Sequence, residues 1–260
     1  GDIDSTGLTA YTNRSWATID LNSGYITIDA PNPGLIVPVE INICDQSTCV
    51  QRILDLEVQS LPDLLIEEMG FESEISALEK QIKNKKTTDD LVVFYGSSTI
   101  RLWNSLQDDF PHTNTLNLGF GGAFISSLSQ NFDRLFTFEA PKAIVLYLGR
   151  NDLSLGWTAE KIIEKIKTLI AKIHSRYPGT TIVNLSIKPS LERADQMEKI
   201  IKINKAMALL AKNTDFVKQI DFFDALMQDG MVNRFYLLRD GLHLNAHGYK
   251  VLKNYLKNHI

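Results

Sequence analysis

Ser98 stands where a hydroxyl can be made to react. Leu91–Tyr95 is a run of five apolar, β-forming residues that suits a strand buried on both faces. Gly96 breaks the run, and Ser97, Ser98 and Thr99 supply helix-start chemistry ahead of an apolar-spaced stretch through Ile100, Leu102, Trp103 and Leu106. A hydroxyl at such a turn lies at the open end of a sheet, where the first helix amides point at whatever binds. It stays a weak nucleophile unless a base takes its proton. His243 is the best base, because Asp240 stands three residues earlier and can reach one imidazole nitrogen while the other faces the serine. The oxyanion that forms on an attacked carbonyl needs preorganised donors. Gly119 offers a backbone amide, Asn151 a side-chain amide, and Ser98 its own amide. These residue types together describe acyl transfer to a serine.

The elements that must position them alternate. Apolar strands are read at 91–95, 113–118, 143–148, 181–187 and 216–222, and helices near 99–109, 126–137, 158–177, 195–213 and 246–260. The helix begun by Thr158 has a core face of Ile162, Ile163, Ile166, Leu169, Ile170 and Ile173, and Pro178-Gly179 stops it. Strand–helix alternation implies an α/β fold, a three-layer α/β/α sandwich on a parallel sheet of about five strands. Ligands of such sheets bind outside the carboxyl ends of the strands. The loops Gly96–Ser98, Asn117–Gly122, Gly149–Asp152 and Asp240–His243 then share one edge.

Residues 1–65 read differently, as a β-prone arm or small appendage, with residues 66–260 as the main domain. Trp16–Leu21, Tyr25–Ile28 and Leu35–Ile43 are short β-prone pieces divided by Asn-Ser-Gly and Pro-Asn-Pro-Gly turn signals. Pro62–Lys86 has a helical pattern in which Gly70 is a possible interruption. Cys44 and Cys49 are the only cysteines; their spacing fits a small loop disulfide or two unpaired thiols, and suits zinc poorly. A disulfide would place the protein outside the reducing cytosol, so the expected setting is periplasmic or secreted.

Charge and hydropathy exclude some classes. A formal net charge of −4 gives no nucleic-acid or anionic-membrane footprint, and no apolar run approaches the roughly 20 residues of a membrane span. His243 and His247 are four apart, but Leu244 occupies the place of the glutamate in the zinc motif, and no third ligand is evident. Asp152 reads as structural, holding its loop through backbone amides.

Gly96-Ser97-Ser98, Gly119, Gly149-x-Asn151-Asp152 and Asp240-x-x-His243 resemble the four ordered blocks of the SGNH (GDSL-type) hydrolases, over about Phe71–Ile260. The likeness is closest to the bacterial GDSL-like lipase/acylhydrolase branch, through GSSTIRLW, NLGFGGAFIS, Ser186–Ser190 and DGLHLN. The resemblance implies a flavodoxin-like fold, Ser98 as nucleophile, Gly119 and Asn151 as oxyanion donors, and Asp240 and His243 completing a triad, with no metal or organic cofactor. Ser97 replaces the aspartate of the first block, and Arg150 stands where many relatives have an acid. The α/β-hydrolase elbow, by contrast, needs glycine where Ile100 stands. Phe120, Phe124, Arg150, Trp157 and Lys188 are candidates for contact with a small-molecule or glycan ester. The expected activity is hydrolysis of short acyl esters, such as acetyl on a carbohydrate. Lysophospholipid hydrolysis and non-catalytic glycan binding on the same fold are the alternatives.

Overall fold

The computed structural model describes residues 9–12, 17–20, 25–28, 36–44, 48–57, 71–85, 88, 90–192 and 194–260. No helix among them is long and apolar enough to cross a membrane. The chain forms two compact units, residues 1–61 with 154–156, and residues 62–153 with 157–260.

In the first unit, β1 (Thr9–Thr12), β4 (Ile36–Cys44) and β5 (Cys49–Glu57) form an antiparallel sheet in the order β1-β4-β5, and β2 (Ala17–Asp20) pairs with β3 (Tyr25–Ile28). Cys44 and Cys49 face each other in the β4–β5 register and are joined by a disulfide. The pieces read at Trp16–Leu21, Tyr25–Ile28 and Leu35–Ile43 correspond to β2, β3 and β4. β1 and β5 carry no matching turn signals.

The second unit opens with the Glu72–Asn84 helix, whose buried face is Ile75, Leu78 and Ile82. Residues 62–70 of the helical stretch expected there lie outside the described residues. Five parallel strands follow: β6 (Val92–Gly96), β7 (Thr115–Gly119), β8 (Ala143–Tyr147), β9 (Thr181–Leu185) and β10 (Val217–Ile220). Their order is β10-β9-β8-β6-β7, a doubly wound, flavodoxin-like arrangement. β6 and β8 are buried throughout, as strands covered on both faces must be. On one face Val92, Phe94, Val145 and Val183 pack with Trp103, Phe222, Tyr249 and Leu252. On the other, the Tyr95 hydroxyl donates to the Leu128 carbonyl at 2.5 Å. The helices Ile125–Leu135, Ala159–Arg176 and Met197–Lys212 bury apolar stripes at helical spacing, and Ala246–Leu256 closes the chain. Two further short strands, β11 (Met227–Gln228) and β12 (Met231–Val232), form a hairpin before that last helix.

One expected helix, 99–109, is instead two single turns, Ser98–Arg101 and Leu106–Asp109. Trp103 breaks it. Its ring is buried within 6 Å of Phe94, Phe110 and Tyr249, and its indole N–H donates to Asp109 at 2.8 Å. Burying so large a ring with its polar atom satisfied outweighs helix continuity.

Candidate active site

In a doubly wound sheet the binding crevice lies where the strand order reverses. Here that is between β6 and β8, and Ser98 follows β6 there. The register sets Gly96 level with Gly119 on one side and Tyr147 on the other, so three strand ends reach the same edge. Gly96 must lack a side chain, because a Cβ there would lie 2.2 Å from the Tyr147 carbonyl oxygen.

A helix of four residues cannot hold Ser98 still by its own hydrogen bonds. This one is pinned from outside. The Ser97 amide donates to the Tyr147 carbonyl at 3.1 Å. The Tyr249 hydroxyl donates to the Thr99 carbonyl at 2.9 Å, and the Asn117 amide to the Ile100 carbonyl at 2.8 Å. The Tyr249 bond satisfies a carbonyl that a short helix leaves unpaired, and the Asn117 bond gives the Ile100 carbonyl a second donor beside the Trp103 amide.

The second half of the site comes from the far end of the chain. Leu237 bridges Leu244, and the Leu238 amide donates to the His243 carbonyl at 2.7 Å, closing a tight turn. Asn245 caps the last helix by accepting from the amides of His247 and Gly248, and its own amide donates to the carbonyls of Phe235 and Leu237. In this frame Nε2 of His243 lies 3.0 Å from Ser98 Oγ, and Nδ1 lies 2.7 Å from Asp240 Oδ2. Asp240 Oδ1 accepts from the amides of Leu242, at 2.9 Å, and His243, at 3.0 Å. Partial burial works against the Asp240 charge, but bonds from the imidazole and both amides outweigh it and hold the carboxyl at about 2. The acid therefore stays ionised at neutral pH, with one oxygen committed to the backbone and the other to the imidazole.

Asn151 also reaches this edge. Its Nδ2 donates to the Ala123 carbonyl at 2.9 Å, and Asp152 Oδ1 accepts the Ile125 amide at 3.0 Å, fixing the two loops to each other. Gly119 does not behave as a free donor, which corrects the sequence expectation. Its amide donates to Asn117 Oδ1 at 2.9 Å, and its α-carbon is packed against Ile100 and Arg101. The tandem glycine that follows fits better. Gly122 is exposed, has φ +71°, and makes no backbone hydrogen bond among the described residues.

The five residues expected to touch substrate are all buried. Phe120 packs against Phe71 and Tyr95. Phe124 precedes the Ile125–Leu135 helix with its side chain buried, and Trp157 lies beneath Lys161 and Lys165. Arg150 is spent inward on Ser190 at 2.8 Å and Glu192 at 3.3 Å. Lys188 is buried with Nζ on the Leu242 carbonyl. Exposed apolar side chains beside the Asp240–His243 turn include Leu191 and Leu238, which sequence patterning did not single out. The Leu191 amide donates to the Gly241 carbonyl at 2.9 Å. His247, four residues from His243, packs against Phe235 at 4.3 Å between ring centres.

Comparison with known proteins bears on the family and the fold. Residues 89–251 match the GDSL-like lipase/acylhydrolase family. Among curated proteins, the N-acylneuraminate cytidylyltransferase of Escherichia coli O18:K1:H7 is 32% identical over 114 residues, 43% of this chain. The match spans 26% of that relative's length. A solved Streptococcus pneumoniae structure provisionally named a platelet activating factor superposes with a TM-score of 0.64 at 27% identity, over 75% of this chain and 96% of its own. A GDSL-like lipase from Bacteroides thetaiotaomicron superposes with a TM-score of 0.58 at 18% identity, over 76% of this chain and 97% of its own, a likeness of fold. The chain therefore belongs to the GDSL-like lipase/acylhydrolase family and has the SGNH hydrolase fold.

Proposed function

We propose that the protein cleaves carboxylic esters through an acyl-enzyme on Ser98. The observation that carries this reading is the unbroken chain Ser98 Oγ–His243–Asp240, at 3.0 and 2.7 Å. His243 takes the Ser98 proton as Oγ bonds to the ester carbonyl carbon, then gives it to the departing alkoxide. Water, deprotonated by the same imidazole, releases the acid and restores the serine. The oxyanion is held by the amides of Ser98 and Gly122 and by Asn151 Nδ2, an N–H donor at the same sheet edge. No metal or organic cofactor takes part in this scheme.

For the substrate we propose a short acyl group, such as acetyl, on a carbohydrate. The curated relative is named for an N-acylated sugar, and the buried Phe120, Phe124 and Trp157 leave no aromatic acyl trough on those loops. A second reading, a lipid ester, rests on exposed Leu191 and Leu238 flanking the Asp240–His243 turn. We further propose an extracytoplasmic setting, supported by the Cys44–Cys49 disulfide. Hydrolysis of p-nitrophenyl esters from acetate to octanoate, by wild type and Ser98→Ala together, tests both parts. The proposal expects activity lost in Ser98→Ala and kcat/KM highest on acetate. A maximum at octanoate selects the lipid reading, and undiminished hydrolysis by Ser98→Ala rejects the acyl-enzyme.

A further inference from the structure

We infer that Lys188 is a positioning residue of the Ser98 relay, its buried ammonium clamping the peptide group that holds the Asp240 carboxylate. The inference rests on the acyl-transfer reading and adds a member to it.

Lys188 lies in the stretch after β9, which is fixed from several sides. Asn204 brackets Ile187, accepting its amide at 2.8 Å and donating to its carbonyl at 2.9 Å. Ser186 Oγ accepts the Phe222 amide, and Ser190 Oγ accepts from Arg150. Lysines are almost never fully buried, because desolvating an ammonium is costly. Lys188 is 1% exposed all the same.

Its Nζ donates to the Leu242 carbonyl. That carbonyl and the His243 amide are the two ends of one peptide group. The His243 amide donates to Asp240 Oδ1 at 3.0 Å, Asp240 Oδ2 holds Nδ1 of His243 at 2.7 Å, and Nε2 meets Ser98 Oγ at 3.0 Å. The hydrogen bonds thus run without a break from the ammonium to the nucleophile. The Leu191 amide, three residues on, grips the adjacent Gly241 carbonyl. One rigid stretch therefore holds two successive carbonyls of the turn.

An ammonium on the carbonyl oxygen polarises the peptide and strengthens its N–H as a donor, since linked hydrogen bonds in a low-dielectric site reinforce one another. The stronger donor favours ionised Asp240 and fixes the plane in which it meets the imidazole. The charged groups facing Lys188 are Arg150, which opposes its charge, and Asp240 and Glu192, which favour it. Burial is the largest influence, and with Arg150 it holds the ammonium down at about 7.

The test is Lys188→Met, which keeps the stem and removes the nitrogen. Wild type and variant are compared by p-nitrophenyl acetate hydrolysis and by the rate of fluorophosphonate labelling, from pH 5 to 9. The inference expects kcat reduced by about tenfold or more, the scale of a lost bond to a charged group, with KM little changed. The acid limb of the profile should move to higher pH, because removing a positive charge near the imidazole favours its protonated form. A folded variant with wild-type rate and an unmoved acid limb overturns the inference and leaves the acyl-transfer reading intact. A wild type that neither hydrolyses esters nor labels fails that reading instead. A second measurement needs neither activity nor a folded Lys188→Met: the Lys188 Cε titration in ¹³C-lysine-labelled wild type and Asp240→Asn. Loss of the carboxylate should lower the Lys188 midpoint, and an unchanged midpoint overturns the inference.

Discussion

A methyl group added at Gly119 gives a direct reading of how firmly Ser98 is held. The Cβ of an alanine there would lie 2.4 Å from the Arg101 backbone nitrogen, 2.8 Å from Ile100 Cβ and 2.9 Å from the Ile100 carbonyl carbon. Those atoms belong to the Ser98–Arg101 turn. Restoring ordinary contact at 3.4 Å requires β7 and that turn to separate by about 1 Å, a displacement on the scale that costs ~10²-fold in rate when it misplaces a reacting group. Overpacking of this kind also destabilises by about 1–3 kcal/mol. Gly122→Ala is the matched control. Its Cβ meets no atom within 4 Å, so its cost is the left-handed φ of +71°, about 1–2 kcal/mol, with the backbone amide retained. Both variants are assayed for kcat/KM on p-nitrophenyl acetate and for midpoint in urea. The reasoning expects Gly119→Ala to lose about 100-fold in kcat/KM, and Gly122→Ala to lose less than about tenfold. A folded Gly119→Ala with wild-type kcat/KM would refute the claim that contact between β7 and the Ser98 turn sets the position of the nucleophile.

Two further variants probe the supporting structure. Lys188 holds its proton up to about 7 when folded and to 10.5 in the unfolded chain. Between those values the unfolded state binds more protons, so stability rises with pH. Over pH 7 to 9 the Lys188 contribution is about 2–3 kcal/mol, and urea denaturation should show wild type gaining that much relative to Lys188→Met; parallel curves would contradict it. Asn245→Ala removes the cap of the last helix and orphans the carbonyls of Phe235 and Leu237. It should cost about 2 kcal/mol, read as a lowered thermal midpoint, and an unchanged midpoint would show that Asn245 does not hold the Asp240–His243 turn.

The sequence was most legible where one residue type has one physical use. Leu91–Tyr95 is too apolar and β-branched to be other than a covered strand, and the isoleucines of 162–173 recur at a helical period, so both elements lie where the pattern places them. That Ser98, Asp240 and His243 come together was readable because their loops fall at one sheet edge. Gly119 and Gly122 were not separable in the same way. Both are glycines in one loop, and hydrogen bonding alone distinguishes an amide spent on Asn117 from one left over. The burial of Arg150 and Lys188 was not legible because charged residues are expected at the surface, and the pattern carries no sign of the Leu242 carbonyl that accepts Lys188 or of the Glu192 carboxylate that meets Arg150. The burial of Phe120 and Trp157 was not legible for a related reason: an aromatic residue in a loop fits the core as readily as a rim, and here both are buried.

The central claim is that Ser98 is made nucleophilic by His243 and Asp240. Its most direct measurement is the intact mass, with peptide mapping, of wild type, Ser97→Ala, Ser98→Ala and His243→Ala after exposure to a fluorophosphonate. The account predicts one adduct in wild type and in Ser97→Ala, located on Ser98, no adduct in Ser98→Ala, and labelling of His243→Ala slowed by orders of magnitude. An adduct on Ser97, or labelling of His243→Ala at the wild-type rate, would contradict it.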